Sequence, residues 1–152
     1  MKLDASTHKP IVFHTVAPIR FTDIDRYGHV STAHYIEYLF TSRFDYLRDH
    51  FDLAPEAFIK AGVGFVARKI TFEFLRPIPA TQPQVAIESW TPRADRSMFI
   101  VEFKIHHPTK TDVIHATGEV DLRCLNLKEG KPCDAPDWLL RCFFVIPKSE
   151  GS

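Results

Sequence analysis

Two carboxylates and an imidazole crowd into one short run, Asp23-Ile24-Asp25-Arg26-Tyr27-Gly28-His29-Val30-Ser31-Thr32. A carboxylate can take a proton from water or attack an electrophilic carbon itself. Its neighbours matter as much. Ser31 or Thr32 is a candidate N-cap for the helical pattern that follows. The first N–H groups of a helix lack intrahelical partners and carry the positive end of its dipole. Donors of that kind, near Ser31 and Thr32, could hold negative charge developing on a substrate oxygen. A D-x-D pair in a turn also has a plain reading, as a cap of the turn or helix. Spacing alone leaves both readings open.

The elements that must position these groups show in the periodicity. Ile19 to Thr22 is strand-like, and Asp23 to Val30 is a polar turn. From Ser31 or Thr32 to about Phe51 the pattern is helical. At about 100° per residue, Tyr35, Ile36, Leu39, Phe40, Phe44, Tyr46, Leu47 and Phe51 share an arc of roughly 180°. An apolar arc that wide predicts a helix held against a broad concave partner. Arg43 falls inside it, so a carboxylate or carbonyl partner is expected.

Met1 to Pro10 reads as a loose end, and Ile11 to Thr22 as a strand interrupted by Pro18. Pro55 to Lys60 predicts a second, short helix. Four strands follow with brief connections: Gly64 to Leu75, Val85 to Thr91, Met98 to His106 and Val113 to Leu125. The segment Pro92 to Arg96 reads as a turn, and Pro136 to Phe144 as a short helix or an extended edge. One helix laid on an antiparallel sheet gives an α+β class and a single domain over residues 1–152.

Composition narrows the partners. The net charge is +0, which gives no sign of nucleic acid or an anionic membrane as the main partner. Three cysteines, Cys124, Cys133 and Cys142, with no C-x-x-C pair, argue against a disulfide framework. No run approaches a membrane span or a signal peptide, so a soluble cytoplasmic protein is expected. A metal site is not expected: His29 and His34 are poorly spaced, and His106 and His107 would face opposite sides of a strand.

The run DIDRYGHVSTAHYIEYLFTSR, followed later by FEFLRPI, resembles the signature of hotdog-fold acyl-CoA thioesterases of the 4-hydroxybenzoyl-CoA thioesterase type. Asp23, Asp25, Gly28, His29, Val30, Tyr35 and Arg43 match that pattern. An Asn-Asn pair of the family is replaced by Ser31-Thr32, and a helix Glu by Thr41. The resemblance covers roughly Ile19 to Leu125, most of the chain. It implies a curved antiparallel sheet wrapped around one long central helix. It also implies a homodimer or homotetramer with active sites at the subunit interface.

The resemblance further implies hydrolysis of an acyl-CoA or acyl-carrier-protein thioester, with coenzyme A only as part of the substrate and no separate cofactor. Asp25 would be the nucleophile or the general base, with Asp23 structural. The helix N–H groups at Ser31 and Thr32 would stabilise the oxyanion, and His29 would orient substrate or tune Asp25. Tyr35 is a candidate substrate contact. Arg93 and Arg96 are candidates for gripping the nucleotide end, and Phe65, Phe72 and Phe74 are assigned to the core rather than to an acyl pocket. Two other functions fit the same fold. A hydratase of this fold places His five residues after its Asp, whereas Asp25 and His29 are four apart. A non-catalytic acyl-thioester binding protein is the other.

Overall fold

Helix α1 (Thr32–Phe51) lies across an antiparallel sheet that curves around it. The computed structural model describes residues 2–147. The strands are β1 (Lys2–Asp4), β2 (Phe13–Pro18), β3 (Val63–Phe74), β4 (Gln84–Asp95), β5 (Met98–His106), β6 (Ile114–Asn126) and β7 (Lys131–Pro132). Two short helices, α2 (Pro55–Ala61) and α3 (Asp137–Phe143), complete the chain. The sheet order is β1-β4-β5-β6-β3, with β2 also on β4 and β7 on β6. This is the α+β class that the sequence predicts.

The helix stops where its chemistry stops it. Asp52 takes a left-handed conformation with φ 56°, and its N–H reaches back to the Arg48 and Leu47 carbonyls. The face turned to the sheet carries Tyr35, Tyr38, Leu39, Ser42, Arg43 and Leu47. At about 100° per residue that stripe is as wide as the predicted arc but rotated about the axis, so that it takes in Tyr38 and Ser42. Ile36 and Phe44, inside the predicted arc, are 40% and 49% exposed. Among the described residues, Arg43 meets neither carboxylate nor carbonyl. It donates to the Ser89 hydroxyl (2.9 Å) and lies against the rings of Phe13 and Phe143.

Opposite the helix, Phe99, Val101, Phe103 and Ile105 of β5 are buried in strict alternation, as period-two patterning requires. Three segments differ from the sequence reading. The start of the chain is tied down, because Leu3 is buried and pairs with Ala94 of β4. Ile19 to Thr22 is not strand. Its second half belongs to a single 3₁₀ turn, Phe21–Asp23. Pro92 to Asp95 is strand rather than turn. A register shift between Trp90 and Arg93 lets Pro92 sit in β4 without donating to the ladder, and the connection to β5 shrinks to Arg96 and Ser97.

β3 forms the outer edge, and β6 must approach it closely. A Cβ at Gly118 would lie 1.9 Å from the Thr71 carbonyl oxygen and 2.6 Å from the Phe103 ring. Backbone cannot yield there without parting β3 from β6. Gly118→Ala is expected to destabilise the fold by at least about 2 kcal/mol, read as a lower urea midpoint.

Candidate active site

The turn before α1 is held by one buried carboxylate. Asp23 is fully buried, and its Oδ2 accepts from the Tyr38 hydroxyl (2.6 Å) and the Arg20 backbone N–H (3.0 Å). Its Oδ1 lies 3.0 Å from an Arg20 guanidinium nitrogen and 3.3 Å from His34 Nδ1. Its carbonyl takes the Ser31 N–H (2.8 Å). Burial alone would raise this carboxyl's pKa, but the hydrogen bonds from Tyr38 and Arg20 outweigh it and hold Asp23 below the ordinary 3.8. Asp23 therefore fixes where the turn ends and the helix begins.

Between those fixed points the chain makes a closed loop. Ile24 pairs with Val30, and His29 with Pro79. The Asp25 N–H donates to the His29 carbonyl (2.8 Å), and the Gly28 N–H to the Asp25 carbonyl (3.1 Å). Gly28 has φ 80°, a conformation that favours a residue without Cβ. Asp25 Oδ1 accepts from the Tyr27 N–H (2.8 Å) and, at greater length, the His29 N–H (3.4 Å). One oxygen thus performs the plain capping role. Among the described residues, Oδ2 receives no hydrogen bond.

Asp25 opens onto a cleft of about 260 Å³. The turn and α1 contribute Asp25, His29, Val30, Thr32 and Tyr35 to its wall. The far end of β3 and the segment after it contribute Phe74, Leu75, Arg76 and Pro77. Tyr35 is buried and meets Phe74 edge-on, with ring centroids 5.1 Å apart. Burial raises the Tyr35 phenol's pKa, and the Asp25 charge adds to that. Tyr35 is therefore a neutral wall of the cleft.

The helix N-terminus supplies only part of the expected donor set. The Ser31 N–H is occupied by Asp23, and the Ser31 side chain makes no capping bond. Thr32 and Ala33 come next, both exposed, and neither N–H meets a protein acceptor among the described residues. Thr32 lines the cleft with Asp25.

The site residues expected from sequence therefore divide. Asp25, His29, Thr32 and Tyr35 share one cleft, with Ser31 beside it. Arg93 and Arg96 do not reach it within this chain. They sit at the opposite end of β4, where Arg93 pairs across to Asp4 and Arg96 turns the hairpin with φ 56°. From Gln84 to Arg93 the strand runs roughly 30 Å at the usual rise.

Phe74, assigned to the core from sequence, is 49% exposed and lines the cleft. Arg76 was not foreseen as a site residue. It stands in the FEFLRPI run, just past the end of β3 and before a proline. His115 fixes its backbone. His115 is buried, with Nδ1 3.0 Å from the Arg76 carbonyl and Nε2 3.1 Å from Gln82 Nε2. The Leu75 and Arg76 N–H groups both donate to the His115 carbonyl. Burial lowers the His115 pKa, so its neutral form is favoured here.

A family model described as the thioesterase-like superfamily matches residues 19–143. No curated protein matches the chain. Among solved structures, a protein of Bartonella henselae described as a probable thioesterase is 25% identical, with a TM-score of 0.72, covering 83% of this chain and 100% of that one. A DHNA-CoA thioesterase of Staphylococcus aureus is 19% identical, with a TM-score of 0.73 and coverage of 85% and 87%. A 1,4-dihydroxy-2-naphthoyl-CoA thioesterase of Synechocystis is 15% identical, with a TM-score of 0.77 and coverage of 87% and 95%. These likenesses identify the sheet and helix as the hotdog fold.

The buried aspartate has a measurable signature. Its folded pKa is depressed, so its stabilising contribution is present above 3.8 and is lost as pH falls through the lower folded value. Urea midpoints measured against pH should fall on the acid side in the wild type. Asp23→Asn should be less stable at neutral pH and fall less steeply. Tyr38→Phe should lose about 1.5–3 kcal/mol, the usual range for a hydrogen bond to a charged group.

Proposed function

The chain belongs to the thioesterase-like superfamily, and we propose that it hydrolyses an acyl-CoA thioester to the free acid and thiol. The observation that carries this reading is the pairing of Asp25, one oxygen unengaged, with Thr32 at the open start of α1 in one cleft. A thioester carbonyl placed between them has a carboxylate at its carbon and backbone donors at its oxygen. Asp25 drives the step either by taking a proton from an attacking water or by attacking the carbonyl carbon itself. On the first route the water oxygen bonds to the carbonyl carbon as the C–S bond breaks and the sulfur leaves as the thiol. On the second, the C–S bond breaks as Asp25 forms a mixed anhydride, which water then cleaves to the free acid and the Asp25 carboxylate.

The Thr32 and Ala33 N–H groups are the donors for the oxyanion. One such donor is typically worth about 3 kcal/mol of barrier. His29 closes the Asp25 loop through its backbone and orients substrate from the cleft wall. Thr32 and Tyr35 contact the acyl thioester.

A second, polar cleft supports coenzyme A as the carrier. It shares Arg76 and Pro77 with the Asp25 cleft and adds His107, Lys110 and His115. Arg76 and Lys110 are exposed cations, suited to phosphate groups. On this reading Arg76 and Lys110, rather than Arg93 and Arg96, grip the nucleotide end within one chain.

The assembly in this proposal is a homodimer, or a tetramer of paired dimers. β3 is a 12-residue edge strand, with Val66 44% and Phe74 49% exposed. Arg68, Lys69 and Glu73 are exposed beside them, but an edge of that length still leaves a row of backbone N–H and C=O groups open to another strand. Phe74 also lines the Asp25 cleft, so a partner on this edge would complete the site. No helix among the described residues is long and apolar enough to cross a membrane. Three free thiols support a cytoplasmic setting.

Free thiol released from a panel of acyl-CoAs tests the reaction. The wild type should release it, and Asp25→Asn should lower kcat by roughly 10²–10⁴, the usual weight of a positioned base or nucleophile. Binding across the panel with no thiol release would instead mark a binding module. Water addition to an enoyl thioester would mark a hydratase. Sedimentation should give a dimer or tetramer, and a monomer at all concentrations would remove the shared-site arrangement.

A further inference from the structure

Behind α1, at the other end of β3 from the Asp25 cleft, lies an apolar cavity of about 440 Å³. That volume lies within the range of small-ligand pockets. Phe40, Leu47, Phe58, Phe65 and Leu122 give it a hydrocarbon wall. Arg43 is the exception. It lines the same cavity yet is only 6% exposed.

The Arg43 guanidinium is held in place without being neutralised. Its central carbon lies 5.0 Å from the Phe13 ring centroid and 5.5 Å from that of Phe143. The two ring centroids are themselves only 5.7 Å apart, so both rings pack on one side of the guanidinium and hold it there. A guanidinium has five N–H donors. Ser89 Oγ takes one from Nη1 at 2.9 Å. Among the described residues no carboxylate pairs with it, and desolvation is the cause that lowers its pKa to about 10. A buried charge lacking a counter-charge is unfavourable, so the site is complementary to an anion. An apolar chamber with one fixed guanidinium fits a ligand with a hydrocarbon body and a planar anionic end.

We propose that this cavity binds a carboxylate-ended hydrocarbon chain, its carboxylate on the Arg43 guanidinium and its chain against Phe40, Leu47, Phe58 and Phe65. Two sources share that chemistry. One is a free fatty carboxylate. The other is the acyl group of a thioester that carries a second carboxylate at its far end. Only the second asks the chain to reach Arg43 from the Asp25 cleft, past the buried Leu39. Tyr35 of the Asp25 cleft, Leu39 and Arg43 lie on one buried stripe of α1, and Tyr35 to Arg43 is roughly 12 Å along the axis. β3 borders both spaces, with Phe74 at one and Phe65 at the other. Binding of the free acid is independent of the hydrolytic reading. The second source rests on it.

Calorimetric titration of the full chain with decanoate and with decan-1-ol tests the proposal. Decanoate should bind at least about tenfold more tightly than the alcohol, as a charge-assisted pair requires. Arg43→Met should erase that preference. Ala67→Phe, which fills the cavity from β3, should abolish binding of both and carries the test if Arg43→Met does not fold. Equal binding of acid and alcohol, no decanoate binding, or unchanged binding in Ala67→Phe would overturn the proposal. Hydrolysis separates the sources. A lower KM for ω-carboxydecanoyl-CoA than for decanoyl-CoA, lost in Arg43→Met, assigns the cavity to the acyl group. Equal KM values with decanoate bound assign it to the free acid. Decanoate binding without hydrolysis of either thioester would uphold the cavity and count against the hydrolytic reading alone.

Discussion

The Asp23 carboxylate is the constraint on which the site depends. It is fully buried and gathers Tyr38, Arg20 and His34 through its two oxygens, while its carbonyl holds Ser31. These groups come from the segment before the turn, the first residue after it and two turns of α1. A single side chain therefore sets the entry angle of the chain into the helix. Everything between Asp23 and Ser31 is a loop with both ends fixed. Asp25 is presented by that loop, and the open N–H groups of α1 start where it closes. Removing Asp23 would leave the chemistry's residues present in the sequence but unplaced in space.

The two aspartates of the D-x-D pair divide the labour by burial. Asp23 has its oxygens saturated and its charge stabilised by partners, so it has nothing left for a substrate. Asp25, two residues on, is half-buried, with one oxygen committed to turn N–H groups and the other open to the cleft. The cations divide in the same way. Arg20 is paired with Asp23 and Glu37, whereas Arg43 is buried without a carboxylate among the described residues and Arg76 stands exposed at the rim of two clefts. In the proposed sites, the charges without an ion-pair partner among the described residues, more than the paired ones, mark where a ligand would be held.

Much of the site was legible because it is local. The turn, the start of α1 and the convergence of Asp25, His29, Thr32 and Tyr35 depend on residues within one short run, where turn chemistry and helical period suffice. The α+β class followed from the change of period after Gly64. What was not legible depends on distant registers. Phe74 and Arg76 reach the cleft only because β3 pairs with β6 in one frame, a register that no local pattern encodes. Pro92 misled because a proline in a strand is permissible only at an irregularity, and the irregularity lies between Trp90 and Arg93. Tyr38 falls outside the apolar arc by periodicity and is buried because Asp23 draws its hydroxyl inward. The partner of Arg43 was expected to be a carboxylate or a carbonyl by the rule for buried charges. The chain breaks that rule where it has a cavity.

The most direct test of the account is a crystal structure of the protein with a ketone analogue of an acyl-CoA, in which a methylene replaces the thioester sulfur. The account predicts the ketone carbon within about 3.5 Å of Asp25 Oδ2, as a near-attack geometry requires. It predicts the ketone oxygen about 3 Å from the Thr32 N–H. A ketone bound elsewhere, or bound in the cleft with Asp25 turned away and its oxygen remote from the start of α1, would contradict it.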